Sequence, residues 1–381
     1  MYVFQTSSKP QSSRRSVARS ILERIGLVFL SVLIVSLLLE GSLRLVYSVP
    51  PLQAGRLDVR GLHQRSAIEE LVWELKPSVD RSVPGMVVHI NRDGLRDREY
   101  SLDKPSGVRR IAVLGDSVTF GFGVSQEEAY PKVLEQLLNQ GTQTIKYEVM
   151  NFGVDGYNTD QEYIQLREKA LSYSPDIVVL GFIMNDGQPT PKWEEIEPQN
   201  DAGDGGLIPF PGKRFVRQHS YLYQFLAVRL ESIATRVGIM HTPVYYYDDI
   251  QGLVNLQRPE EETPNWKRAR SSLENIVTRL RQRDIPLILV VFPSQNQLED
   301  PGEDPEKKRM LDLRRIPQRR LREFASSKQI IHVDLLPDYD EWIKRQPLFV
   351  DTFSSHPNAL GHRLAAEAIL QSLRTHGLLG K

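Results

Sequence analysis

Short apolar runs bounded by glycine, proline or polar clusters recur along the chain from about residue 110 onward. They lie at 110–114, 146–151, 176–181, 286–292 and 330–334, and runs of this length predict strands buried on both faces. Between them, apolar residues at three- and four-residue spacing predict helices near 127–140, 159–171, 222–238, 267–283, 307–326 and 358–374. Strands alternating with helices predict a parallel, three-layer α/β sheet of five strands. Upstream, residues 64–76 have the pattern of a short helix. Met86–Arg96 has that of a strand ending in a turn at Asp93-Gly94.

The amino-terminal end is patterned differently. Residues 1–20 are polar, with Lys9, Arg14, Arg15 and Arg19 and no acid, and cannot bury enough apolar surface to order. Ile25–Leu39 then runs without a charge and continues to Tyr47, reaching the roughly 20 residues a membrane-spanning helix needs. Glu40 and Arg44 are spaced to pair across one turn at its far end. No small-x-small cleavage site follows, so an uncleaved signal anchor is expected, with the basic tail cytoplasmic and everything after residue 48 extracytoplasmic. The expected organisation is a tail at 1–20, an anchor at 21–47 and a linker with amino-terminal extension at 48–84. A catalytic domain follows at 85–381, with a lid-like insertion near 187–265 that is rich in Pro, Gly and Asp at its start.

Charge and composition narrow the chemistry. The chain carries 48 basic and 48 acidic side chains, which gives no electrostatic case for nucleic acid. It has no cysteine, so disulfides, thiolate metal sites and a Cys nucleophile are excluded. His356 and His362 lack the spacing and acidic company of a metal site, so neither a metal nor a cofactor is expected.

The candidate residues cluster by position in the pattern. The strand at 110–114 ends in Gly115-Asp116-Ser117, which puts a hydroxyl at the carboxyl end of the sheet, where open α/β sheets bind ligands. Gly153 follows the second strand and Asn185 the third; with the Ser117 amide they supply three donors for an oxyanion. His356 precedes the last helix, where it can take the Ser117 proton. Asp116 is expected to brace the Ser turn. The Asn91, Gly94, Arg96 and Asp97 group reads as a turn with a surface ion pair. The acids of Glu299–Glu306 read as a helix entry, and Arg314, Arg315, Arg319 and Arg320 as a solvated face.

Four blocks in order resemble those of the SGNH (GDSL-like) hydrolases: Gly-Asp-Ser117-Val-x-x-Gly121, Asn151-Phe-Gly153 with Gly-Tyr-Asn158, Gly181–Asp186, and His356-Pro-Asn-x-x-Gly-His362. The resemblance covers residues 85–375 and implies a flavodoxin-like sheet and serine hydrolysis of esters. Membrane-anchored bacterial members with Glu-x-x-x-Arg at the anchor's end are also similar. One departure concerns the acid, which in the family lies three residues before the His; here that position is Phe353, and Asp351 stands two residues further back. Asp351 is expected to orient His356 across a bulged loop. The expected protein is a serine esterase acting on O-acyl groups of envelope glycans or lipids. Its rivals are an O-acyltransferase acting on an envelope polysaccharide and an inactive carbohydrate-binding or scaffolding domain.

Overall fold

The computed structural model describes residues 12–46, 61–83, 86–141, 145–193, 249–350 and 355–379, with scattered residues between 216 and 230. Asp351, the tail before residue 12, the linker at 47–60 and much of the insertion lie outside them. Helix α1 (Ser12–Val46) contains a stretch, Glu23–Leu45, with mean hydropathy 2.2 and exposed along most of its length, long and apolar enough to cross a membrane.

Two small antiparallel pairs follow, β1 (His63–Arg65) with β2 (Trp73–Leu75) and β3 (Val79–Val83) with β4 (Met86–Ile90). The short helix expected over 64–76 is therefore strand, turn and strand. In Trp73-Glu74-Leu75 the apolar residues are buried and the acid between them is half-buried, a period of two, and Val72 breaks any helix by adopting a φ of 66°. Leu62, Trp73, Val88 and Ile90 pack on Phe120 and Tyr157, so this extension closes over one edge of the main domain.

The main sheet holds β5 (Val108–Gly115), β6 (Lys146–Gly153), β7 (Ile177–Phe182), β8 (Leu287–Val291) and β9 (Ile331–Asp334). All neighbours are parallel and the order is β6-β5-β7-β8-β9. Each observed strand lies within a residue or two of its expected bounds, and the three-layer α/β class holds. One connection leaves β5 for β6, and the next crosses back to β7 on the other side. The switch point is thus the carboxyl end of β5, where Ser117 sits.

Side chains alternate between the two layers. Ala112, Leu114, Val178 and Leu180 meet α4 (Thr159–Glu168), α6 (Pro264–Arg281) and α8 (Ile316–Lys328). Ile111, Val113, Ile177 and Val179 meet α3 (Tyr130–Leu138) and α10 (Ala359–Thr375). The nucleophile turn itself forms α2 (Ser117–Phe120), and α5 (Asp249–Leu253) buries Ile250 and Leu253 in the first of these layers. The far end of the expected insertion is thus core.

Two further expectations change. The helix expected over 307–326 is two, α7 (Pro305–Arg314) and α8, because Pro317 has no amide to continue α7 and instead opens the next helix. Nor is its arginine face simply solvated. Arg315 donates to the Gln297 carbonyl, and Arg320 donates to the carbonyls of Leu253, Pro259 and Glu261 and lies over Trp266; only Arg319 is exposed. The acidic stretch before α7 is a helix entry: Asp304 accepts from the Glu306 and Lys307 amides. α9 (Leu336–Trp342) completes the domain. The helix expected at 222–238 falls largely outside the described residues.

Candidate active site

β5 ends at Gly115 with φ 152°, where an added Cβ would stand 2.0 Å from Thr119 Oγ1, so the chain turns there only because the residue is glycine. Asp116 then caps α2, accepting from the Val118 amide at 2.9 Å. Ser117 sits at the first position of that helix and is buried. Its Oγ lies 2.8 Å from His356 Nε2 and 2.9 Å from Asp116 Oδ2. The hydroxyl has one proton, so it donates to one of these at a time. Burial pushes the Asp116 carboxyl up, against the pull of its bonds from Val118, Ser117 and Asn185.

His356 is held by its own loop. The Val350 amide donates to the His356 carbonyl at 3.0 Å, the Asn358 amide to the Leu348 carbonyl at 2.8 Å, and Phe349 pairs with Pro357. Asn358 caps α10 through the Leu360 and Gly361 amides. The imidazole is half-buried and stacks on Phe122, ring centroids 4.4 Å apart and planes at 28°. Desolvation pulls its pKa down to about 4. His362 is a structural residue: its Nδ1 accepts from the Tyr130 amide at the start of α3.

Asn185 stands in the turn after β7, which is shaped by Asp186 accepting from the Ile183 amide at 2.9 Å. One Asn185 Nδ2–H points to Asp116 Oδ2 at 3.3 Å, and a primary amide has a second N–H to offer. The Gly153 amide donates to Asn151 Oδ1 at 2.9 Å. What Gly153 visibly provides is space: a Cβ there would stand 2.2 Å from the Phe120 amide nitrogen and 2.5 Å from the Thr119 carbonyl carbon. Gly153→Ala must therefore displace α2 and Ser117 with it. We expect a stability loss of about 1–3 kcal/mol in urea unfolding. A displacement of this kind also lowers kcat, by on the order of 100-fold for about 1 Å.

The sequence pattern misplaced one group. Asn91, Arg96 and Asp97 form no surface ion pair; all three are wholly buried. Arg96 donates to the carbonyls of Phe120 and Gly121 at 2.8 and 2.7 Å, and to that of Val124 at 2.8 Å, clamping the loop that follows α2. That loop carries Phe122 against His356, and Gly123 abuts Val350. Asp97 is paired with Lys132 at 2.9 Å and accepts from the Asn151 amide. A pattern of charges in a turn carries no signal of burial, so nothing in the sequence separated a surface turn from a buried one.

A Ser hydroxyl within hydrogen-bond reach of a His imidazole, at the switch point of a parallel sheet and beside an unspent amide donor, is the arrangement of a serine hydrolase. The chain belongs to the GDSL-like lipase/acylhydrolase family, which matches residues 113–364, and by that membership it is an ester-hydrolysing enzyme. No curated protein matches it. Among solved structures it is similar to an acetylxylan esterase from Geobacillus stearothermophilus at 15% identity and TM-score 0.39, covering 70% of this chain and 94% of that one. It is also similar to a putative lipolytic protein of the G-D-S-L family from Desulfitobacterium hafniense DCB-2 at 13% identity and TM-score 0.36, covering 69% and 99%. Likeness at these values says nothing of substrate.

Proposed function

We propose that the protein is a membrane-anchored, extracytoplasmic serine esterase that removes O-acyl groups from envelope glycans or lipids. The observation that carries the mechanism is the 2.8 Å contact between Ser117 Oγ and His356 Nε2. Ser117 Oγ attacks the ester carbonyl carbon as its proton passes to His356 Nε2. The carbonyl π pair moves onto oxygen, where the Ser117 amide and the free N–H of Asn185 receive it. The Gly153 amide joins them by exchanging Asn151 Oδ1 for the oxyanion. Collapse breaks the bond to the alcohol, which leaves with the proton from His356. Water, deprotonated by the same imidazole, then releases the acyl group and restores Ser117.

Asn185→Ala keeps the nucleophile and base and removes one oxyanion donor. In p-nitrophenyl acetate hydrolysis we expect kcat to fall about 10²–10³-fold, with a small change in KM. An unchanged kcat would remove Asn185 from the mechanism.

Asp351 is the acid assigned to His356. Its sequence neighbour Val350 donates its amide to the His356 carbonyl at 3.0 Å, which supports this assignment. The imidazole must be neutral to act as base, so the rate falls as pH drops through its pKa. Burial of the ring lowers that point. A carboxylate beside the ring stabilises the imidazolium and raises it. Loss of that carboxylate therefore shifts the acid limb of kcat/KM to lower pH. In Asp351→Asn the limb should lie at lower pH than in the wild type, with kcat reduced by up to about 10⁴-fold. Identical limbs in the two proteins would exclude Asp351 as the orienting acid.

A further inference from the structure

The apolar helix α1 is exposed along most of its length, but Ser36, Glu40 and Leu43 are half-buried at four- and three-residue spacing, which defines one covered face. The contact on that face is specific. Glu40 accepts from Ser220 Oγ at 2.9 Å, from the Tyr221 amide at 3.0 Å and from the Leu222 amide at 2.8 Å. Ser220 Oγ in turn accepts from the Tyr223 amide at 3.1 Å. Arg44 donates to Glu40 at 2.8 Å and lies 4.7 Å from the centre of the Tyr221 ring. The charged pair at the end of the anchor is therefore a receptor for the insertion between β7 and α5.

Its place along the anchor says what the insertion faces. Ile25–Leu39 is uncharged, and 15 residues of helix rise about 22 Å, so Glu40 stands at or just inside the edge of a hydrocarbon layer about 30 Å thick. From Glu40's contacts the insertion continues through helical residues 221–223 and 225–227. Leu222 is half-buried, and Leu226 and Leu230 are 47% and 55% exposed. These three leucines recur at four-residue spacing, on one side of a helix that rises only about 6 Å between Leu222 and Leu226. Leucines left uncovered by protein within that distance of the bilayer edge have lipid as their neighbour. We propose that Glu40 docks the insertion at Ser220–Leu222 and lays Leu226 and Leu230 into the interfacial layer of the membrane that α1 spans. The catalytic domain then rests on the bilayer at a second point, through Leu226 and Leu230. This rests on the anchor reading of α1.

The absence of cysteine makes single labels straightforward. Leu33→Cys (anchor), Leu226→Cys (insertion) and Leu102→Cys (exposed on the catalytic domain) are each made in the full chain and labelled with an environment-sensitive fluorophore. The proteins are reconstituted in phosphatidylcholine vesicles with and without nitroxide-bearing acyl chains. The labels at 33 and 226 should lose most of their fluorescence to the nitroxide, and the label at 102 should lose none. Adding Glu40→Ala should restore fluorescence at 226 and leave 33 quenched, with Ser220→Ala intermediate. Unchanged hydrolysis of soluble p-nitrophenyl acetate shows these variants to be folded. An unquenched label at 226 beside a quenched label at 33 overturns the inference alone, and so does quenching at 226 that ignores Glu40→Ala. An unquenched label at 33 overturns the anchor itself, and this inference with it.

Discussion

Replacing Ser117 with alanine is expected to lower kcat for p-nitrophenyl esters by on the order of 10⁴–10⁶-fold while leaving the fold intact. The change removes one oxygen from a site whose frame does not depend on it. Asp116 keeps its bonds from the Val118 amide and Asn185, and Gly115 still turns the chain into α2. Phe122 still covers His356, so the base remains in place without a nucleophile. A small residual rate, up to about 10³–10⁴-fold over water, should persist because the proposed oxyanion donors survive. The measurement is kcat and KM on acetate and longer-chain esters, beside a urea melt. Equal rates for Ser117→Ala and wild type would end the esterase reading for these substrates.

Much of this site was legible because its parts lie where strands end. An apolar run that stops at Gly115-Asp116-Ser117 has one geometric meaning in a parallel sheet, and the same holds for Gly153 and Asn185 after their strands. His356 was legible from its place before a helix that Asn358 caps. The residues that hold these in position were not. Arg96 and Asp97 sit in a polar turn, and their partners, the loop carbonyls of Phe120, Gly121 and Val124, the Lys132 ammonium and the Asn151 amide, are distant in sequence. The β1–β2 pair was missed for another reason, since alternation over three residues a strand cannot be told from one helical turn. The break between α7 and α8 was readable in Pro317, which a helix interior excludes. Glu40 was read as a partner for Arg44 alone, because its other partners lie 180 residues downstream. Local pattern finds elements and their ends; it does not find which distant backbone a charged side chain will satisfy.

Arg96→Met is the corresponding test of what local pattern missed. Burial pulls the Arg96 pKa down to about 10, which leaves the guanidinium cationic at neutral pH. It gives hydrogen bonds to three carbonyls, of Phe120, Gly121 and Val124, on a loop with no strand or long helix of its own. Methionine fills the space and satisfies none of them. Gly121 keeps a bond from the Val124 amide, and each of the other two buried carbonyls left unpaired costs about 1–3 kcal/mol, so we expect a loss of about 2 kcal/mol or more in urea unfolding. The loop also presents Phe122 to His356 and sets Gly123 against Val350, so kcat should fall as well, with KM less affected. Arg96→Lys separates charge from geometry. An ammonium keeps the charge but lacks the planar fork that spans three acceptors, so it should recover only part of either loss. Full recovery by lysine would mean that the site needs a positive charge beneath the loop, and that the three-carbonyl clamp is incidental.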